Sequence, residues 1–170
     1  MRILGVDPGL VITGYGVLDQ TGRDIKLVEA GTIDCGDAKT SLPLRLRRLH
    51  EEINGLIADH HPDAMALEQL YSHYEHPRTA ILMGHARGVI CLAAGLHDIP
   101  LYHYPPTQVK SALTGNGRAS KEQIQNLVRR TFGLVETPRP PDVADAVAIA
   151  LTHLYREGMV SFEDRFRLAR

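Results

Sequence analysis

The segment RILGVDPGLVITGYGVLD, residues 2–19, contains two short β-prone stretches joined by a turn. Arg2 to Asp7 and Thr13 to Asp19 are rich in apolar and β-branched residues, and Asp7-Pro8-Gly9 between them has the chemistry of a turn. A third stretch of this kind, Ile25 to Asp34, follows a second turn. The pattern therefore predicts an antiparallel meander of three strands at the start of the fold.

The remainder of the chain alternates helical and strand patterns. From Leu42 to Ile57, leucine and isoleucine recur at spacings of three and four with charged residues between them, which predicts an amphipathic helix. The later predicted elements are a strand at 64–70, a helix at 78–96, a strand at 101–104 and helices at 107–113, 121–132 and 143–155. The order βββαβαβααα predicts an α/β fold in which helices flank a mixed five-stranded sheet.

Length and composition predict one domain. A chain of 170 residues without a linker or an internal repeat fits a single domain over residues 1–170, with 161–170 as a mildly basic tail. No apolar run is expected to approach the ~20 residues of a membrane span, and the chain opens with a strand pattern rather than a signal peptide. We therefore expect a cytoplasmic protein that does not enter a membrane, with Cys35 and Cys91 as reduced thiols.

Charge is segregated along the chain. The net charge of −1 argues against a non-specific coat for nucleic acid. However, residues 101–133 carry five cations and one carboxylate, whereas residues 1–40 carry four cations and six carboxylates. The chain is thus expected to present separate basic and acidic surfaces.

Two carboxylates are predicted to meet at one edge of the sheet. Asp7 ends the first strand, and Glu68 interrupts an apolar strand in which an unpaired charge would be costly. The carboxyl ends of strands in such sheets are where ligands gather. An aspartate before Pro-Gly is also a common turn former, so Asp7 by itself is compatible with a purely structural role.

Two further carboxylates lie at the start of the last predicted helix. Asp142 and Asp145 are three residues apart and therefore share one helix face. Either aspartate could simply cap the helix and interact with its dipole. Four converging carboxylates would repel one another, and a hard divalent cation such as Mg²⁺ or Mn²⁺ is the natural compensation. Two such ions would suit hydrolysis of a phosphodiester.

The basic region contains candidate ligands for phosphate. Lys121 lies in the first turn of a helix behind Ser120, where the helix dipole makes a cation slightly unfavourable. This local conflict indicates an anionic ligand, and Arg118 and Lys110 lie near it in sequence. A solvated basic face is the alternative interpretation of the same residues.

Five motifs in this order and spacing resemble the RuvC family of bacterial Holliday junction resolvases. The likeness extends from about residue 2 to residue 155. The motifs are Ile3-Leu4-Gly5-Val6-Asp7-Pro8-Gly9 with Thr13-Gly14-Tyr15-Gly16, Ala66-Leu67-Glu68-Gln69, Gly84-His85-Ala86-Arg87-Gly88, Gln108-Val109-Lys110 and Asp142-Val143-Ala144-Asp145-Ala146.

The resemblance implies an RNase H-like fold, a homodimer and Mg²⁺-dependent cleavage of four-way DNA junctions alongside the branch-migration motor of RuvA and RuvB. It implies two Mg²⁺ ions per site, for which Mn²⁺ would substitute. The residues on the family's catalytic acidic positions are Asp7, Glu68, Asp142 and Asp145, and those near the scissile phosphate are Lys110 and Lys121.

Tyr71 matches the family's loop residue that wedges at the junction, but Tyr74 offers a second ring. Which of the two rings stacks on a base stays open, and Tyr71 could instead pack over the sheet edge.

Other functions share parts of this pattern. Actin-like and sugar-kinase ATPases also begin with a strand, an aspartate and glycines, but they need two such domains, and this chain has room for one. A nuclease for other nucleic-acid structures and a non-catalytic junction-binding protein are the further alternatives. The helix from Thr79 to Leu96 could face either a second copy of the chain or only the sheet.

Overall fold

A computed structural model describes residues 1–37, 39–69 and 77–157. The strands are β1 (Arg2–Asp7), β2 (Ile12–Thr21), β3 (Asp24–Asp34), β4 (Ala64–Glu68) and β5 (Leu101–Tyr104). The helices are α1 (Leu42–His60), α2 (Pro77–Leu96), α3 (Pro106–Thr114), α4 (Lys121–Thr131) and α5 (Pro141–Arg156). The predicted order βββαβαβααα is confirmed.

The five strands form one mixed sheet in the order β3-β2-β1-β4-β5. β1, β2 and β3 are antiparallel neighbours, whereas β4 runs parallel to both β1 and β5. The element bounds differ slightly from the predicted ones: β2 is longer at both ends, β4 ends at Glu68, and α5 begins at Pro141. A proline is well suited to the first helical turn, where its missing N–H is not needed, so α5 can begin there.

Side chains alternate between two cores, one on each face of the sheet. Ile3 and Ala66 pack with α3, α4 and α5, whereas Leu4, Val6 and Met65 pack with α1 and α2. This alternation is the two-residue period of a strand that is covered on both sides. The helices on opposite faces therefore approach the same sheet edge from two sides.

α5 lies unusually close to β1 and β2 because glycines face it. A β-carbon on Gly16 would lie 2.6 Å from Val147 Cγ2, and one on Gly5 would lie 2.8 Å from Ala150 Cβ. A β-carbon on Gly14 would collide with the backbone carbonyl of Asp142. The strands can accept α5 at this distance only where they have no side chain.

α2 has two different faces. Ala86, Ile90 and Ala93 are fully buried in the core that also contains α1, whereas Ile81 and Leu92 are more than half exposed. Within the described residues, the segment Arg78–Leu96 is long and apolar enough to cross a membrane by length and composition alone. The expectation that no stretch of the chain reaches this length was therefore wrong for α2.

We predict that Gly14→Ala lowers the free energy of unfolding by about 1 to 3 kcal/mol, because the added methyl group must displace the start of α5. Gly55→Ala is the matched control: Gly55 is an exposed residue of α1 with no atom near its β-carbon position. The control should stabilise the protein by up to about 1 kcal/mol through helix propensity. Chemical denaturation measures both changes, and equal stability of Gly14→Ala and parent would contradict the close-packing account.

Candidate active site

Asp7 and Glu68 end two adjacent parallel strands. β1 and β4 are in register up to Val6 and Leu67, so the next residue of each strand reaches the same edge of the sheet. The two carboxyl groups are hydrogen-bonded to each other, which requires a proton on one of them. The predicted meeting of these two side chains is thus confirmed.

The proton of this pair resides on Asp7. Burial, followed by the negative charges of Glu68 and Asp145, raises the pKa of Asp7 to about 9. Burial also raises the pKa of Glu68, while the hydrogen bond from Asp7 and the positive charges of Lys121 and Arg87 act in the opposite direction. The hydrogen bond between the two carboxyl groups raises the pKa of Asp7 and lowers that of Glu68, so Asp7 is the favoured donor.

α5 brings Asp142 and Asp145 to the same place. Gly14 pairs with Asp7 across β1 and β2, and the backbone of Asp142 packs directly on Gly14. Asp145 lies one turn further along α5, and the charges of Asp142 and Asp145 both raise the pKa of Asp7. All four carboxylates predicted from the sequence are thus within electrostatic range of one point at the sheet edge.

Lys121 forms an ion pair with one of these carboxylates. Its Nζ lies 2.6 Å from an Asp145 carboxylate oxygen, and the Lys121 side chain is 56% exposed. This hydrogen bond and the charge of Asp145 raise the pKa of Lys121 against the effect of burial. Ser120 begins α4 with a reciprocal capping box to Gln123. The position of Lys121 predicted an anionic ligand. In the free protein, the Asp145 carboxylate of the same chain is that ligand.

A cavity of about 150 Å³ opens beside the carboxylates. Glu68 and Asp145 lie on one side of it, and Lys110 and Lys121 contribute the positive charge. Its other walls are apolar and come from α3, α4 and α5: Pro106, Val109, Ile124, Ala148 and Ile149. Lys110 and Lys121 thus line the same cavity as two of the acidic residues, and their role near a scissile phosphate stays a prediction.

The donor set fits a hard divalent cation. Carboxylate oxygens are the preferred ligands of Mg²⁺ and Mn²⁺, and the accumulated negative charge that raises the pKa of Asp7 is what a cation would neutralise. Among the described residues, no three His, Cys, Asp or Glu side chains are already arranged around one metal position. The Asp7 proton and the Lys121 ammonium, which now occupy carboxylate oxygens, would have to leave first.

Of the other predicted DNA ligands, Arg118 is the one that the structure describes. Arg118 is exposed in the turn before α4, where its backbone N–H donates to Asn116 Oδ1. Tyr71 and Tyr74 lie outside the described residues, so their predicted roles stay predictions.

Arg87 has no role predicted from the sequence, but the structure places it near Glu68. Arg87 is a cation in the apolar middle of α2, and the charge of Glu68 acts on it. A charged residue within an otherwise uncharged helical segment was the signal that could have identified it.

Comparison with known proteins agrees with this geometry. The family model described as crossover junction endodeoxyribonuclease RuvC matches residues 3–153. The chain belongs to the RuvC family. A RuvC from Rhodopirellula baltica is 55% identical over 90% of this chain and 85% of its own length. One from Brevibacillus brevis is 43% identical over 96% of this chain and 98% of its own length.

Solved RuvC structures have the same fold. Thermus thermophilus RuvC in complex with a Holliday junction substrate is 34% identical, with a TM-score of 0.87 over 94% of this chain and 96% of that one. A yeast mitochondrial Holliday junction resolvase, at 15% identity and a TM-score of 0.66, supports the fold alone. The predicted RNase H-like α/β fold is confirmed, and the RuvC family consists of metal-dependent nucleases.

We predict that Asp7→Asn stabilises the metal-free protein more at pH 8 than at pH 5. The pKa of Asp7 is about 9 in the folded protein, whereas its ordinary value is 3.8. Between these two pH values, the folded state therefore binds one proton more than the unfolded state. The free energy of unfolding of the parent therefore falls as pH rises through this window. The variant should gain at least about 1.4 kcal/mol over the parent at pH 8, which corresponds to one pKa unit.

Chemical denaturation with a chelator present at the two pH values measures this difference. The same gain at pH 5 and pH 8 would contradict the proton on Asp7.

Proposed function

We propose that this chain resolves four-way DNA junctions by hydrolysing one phosphodiester in each of two symmetric strands, and that Asp7, Glu68, Asp142 and Asp145 are its catalytic residues. The observation that carries the proposal is the convergence of these four carboxylates at the carboxyl edge of the sheet in a chain of the RuvC family. The junction complex of Thermus thermophilus RuvC, which has the same fold, supports the choice of substrate.

The four carboxylates would hold two Mg²⁺ ions, and Mn²⁺ would substitute for them. Such ions supply an activated water and stabilise the charge on the leaving oxygen. The protein contributes the rigid placement of the oxygen donors: Asp7 and Glu68 on strand ends, and Asp142 and Asp145 on a helix that the glycines of β1 and β2 hold against the sheet.

Lys110 and Lys121 would bind the phosphate backbone of the junction. Both line the cavity beside Glu68 and Asp145, so a phosphate held between them would lie next to the acidic cluster. In the free protein Lys121 is paired with Asp145. Release of that ion pair would free a carboxylate oxygen for a cation and an ammonium for a phosphate at the same step. Arg118 and Tyr71 are the further proposed DNA contacts.

We propose that the protein acts as a homodimer. A four-way junction has approximate two-fold symmetry and needs two opposed cuts, and one chain supplies one acidic cluster. The exposed apolar side chains of α2 support this face as the interface: Ile81, Leu82, Leu92 and Leu96. Interfaces of this kind bury the same patch of both copies.

The substrate also indicates where the protein works and with which partners. A junction resolvase acts on chromosomal DNA, so we place the protein in the cytoplasm, where it would work with the branch-migration motor of RuvA and RuvB. The described strands belong to one sheet, which supports a single nuclease domain over residues 1–170, with 161–170 as its basic tail.

Asp7→Asn and Glu68→Gln should each reduce cleavage of a synthetic four-way junction in Mg²⁺ by at least ~10³-fold, about 4 kcal/mol of transition-state stabilisation. Junction binding without a divalent cation should persist, because each change reduces the negative charge that faces DNA. Asp63→Asn is the control, since Asp63 lies beside Arg2 at the opposite edge of the sheet. Cleavage at the parent rate by Asp7→Asn would refute the proposed site.

Leu92→Arg should convert the dimer into monomers, because it places a charge on the exposed apolar face of α2. Val135→Arg is the matched control: Val135 is 94% exposed in the segment between α4 and α5. Analytical ultracentrifugation measures the oligomeric state, and a junction in a supercoiled plasmid reports whether the two strands are cut together. A parent protein that sediments as a monomer and still makes coordinated cuts would refute the dimer.

A further inference from the structure

Arg87 is a partly buried cation in the centre of α2. Its neighbours on the helix, Ala86 and Ile90, are fully buried, so the Arg87 side chain leaves the helix beside the core. Burial lowers the pKa of its guanidinium, but an arginine stays charged in proteins. A methionine would fill a similar volume without the desolvation cost, so the packing of α2 gives no reason for a charge at this position.

The guanidinium contacts a side chain near the end of β5, the edge strand that pairs with β4. Arg87 Nη2 donates to His103 Nδ1 across 3.0 Å, which requires a neutral imidazole with its proton on Nε2. His103 pairs with Leu67 in the β4–β5 register, and the following pair is Tyr104 with Glu68. Arg87 therefore binds β5 one residue before the position that pairs with Glu68, while the Glu68 carboxylate lies in the cavity lined by α5.

The second guanidinium nitrogen is buried without a hydrogen-bond partner. Within the described residues, Arg87 Nη1 is inaccessible to solvent and unpaired. A buried unpaired N–H of a charged group is costly, so this geometry needs a compensating interaction. The negative charge of Glu68 acts on Arg87, and the charge of Arg87 acts on Glu68 in return.

We propose that Arg87 is a positioning residue of the active site: together with His103 it fixes the carboxyl ends of β4 and β5 and so holds the Glu68 carboxylate in place for catalysis. This inference rests on the proposed function. Because Nη1 is inaccessible and Nη2 donates to His103, we expect Arg87 to act through the strand ends and not by binding the DNA backbone. Lys121 is paired with Asp145 and half exposed, whereas Arg87 is hydrogen-bonded to His103.

The test compares Arg87→Met with Lys26→Met. Methionine keeps the apolar part of the side chain and removes the charge, and Lys26 is an exposed cation that pairs with Asp19 in the sheet register, at the edge opposite the acidic cluster. We expect Arg87→Met to lower the single-turnover cleavage rate by ~30-fold, equivalent to about 2 kcal/mol. The junction Kd without divalent cation and the Tm should both stay close to those of Lys26→Met.

Chemical rescue separates the charge from the packing. In Arg87→Ala, added guanidinium ion should restore part of the cleavage rate, whereas urea, which is similar in shape but neutral, should not. Arg87→Lys keeps the charge without the planar fork and should fall between parent and Arg87→Met. If Arg87→Met does not fold, the rates of Arg87→Lys and the rescue of Arg87→Ala decide the question.

Three results would overturn the inference. A weaker junction Kd that accounts for the whole loss of rate would assign Arg87 to DNA binding. A lower Tm with equal effects of guanidinium and urea would assign it to folding alone. Cleavage by Arg87→Met at the rate of Lys26→Met would remove it from catalysis. If Asp7→Asn also cleaved like the parent, the proposed function itself would fail; an inactive Asp7→Asn confines the failure to Arg87.

Discussion

The arrangement of the active site depends on the close contact between α5 and the glycines of β1 and β2. Gly5, Gly14 and Gly16 remove the side chains that would otherwise separate the helix from the sheet. An ordinary helix packs on a sheet at a distance set by side chains, and the first turn of α5 would then lie too far from Asp7 for its aspartates to share a site. Gly14 pairs with Asp7 and also contacts the backbone of Asp142. This one residue therefore determines how close the start of α5 lies to the end of β1.

That contact brings negative charges close together, and in the free protein a proton and a lysine compensate part of their repulsion. Four carboxylates are brought together at the end of a buried strand pair, and burial makes their repulsion stronger. A proton on Asp7 and the ammonium of Lys121 reduce the net charge at the front of the site. Both are exchangeable, so a cation can replace them. The guanidinium of Arg87 adds a further positive charge that acts on Glu68, and it is hydrogen-bonded to His103.

α2 has one face in the protein core and one face exposed to solvent. One face of this helix contributes alanines and isoleucine to the core below β1 and β4, and Arg87 extends from the same part of the helix toward the active site. The opposite face exposes apolar side chains that the single chain does not cover. A partner bound to that face would therefore contact the helix that carries Arg87.

The sequence by itself determined the element order, the mixed α/β sheet and the four acidic positions. Those features depend on local periodicity, turn residues and short motifs, all of which are visible along the chain: the glycines around Asp7, the charge inside β4 and the two aspartates at the start of α5. Only the tertiary structure decided which charges are neighbours. The pairing of Lys121 with Asp145, the proton on Asp7 and the position of Arg87 near Glu68 join residues that are 19 or more positions apart. Such contacts depend on the separation between helices and sheet, and local sequence patterns do not specify that distance.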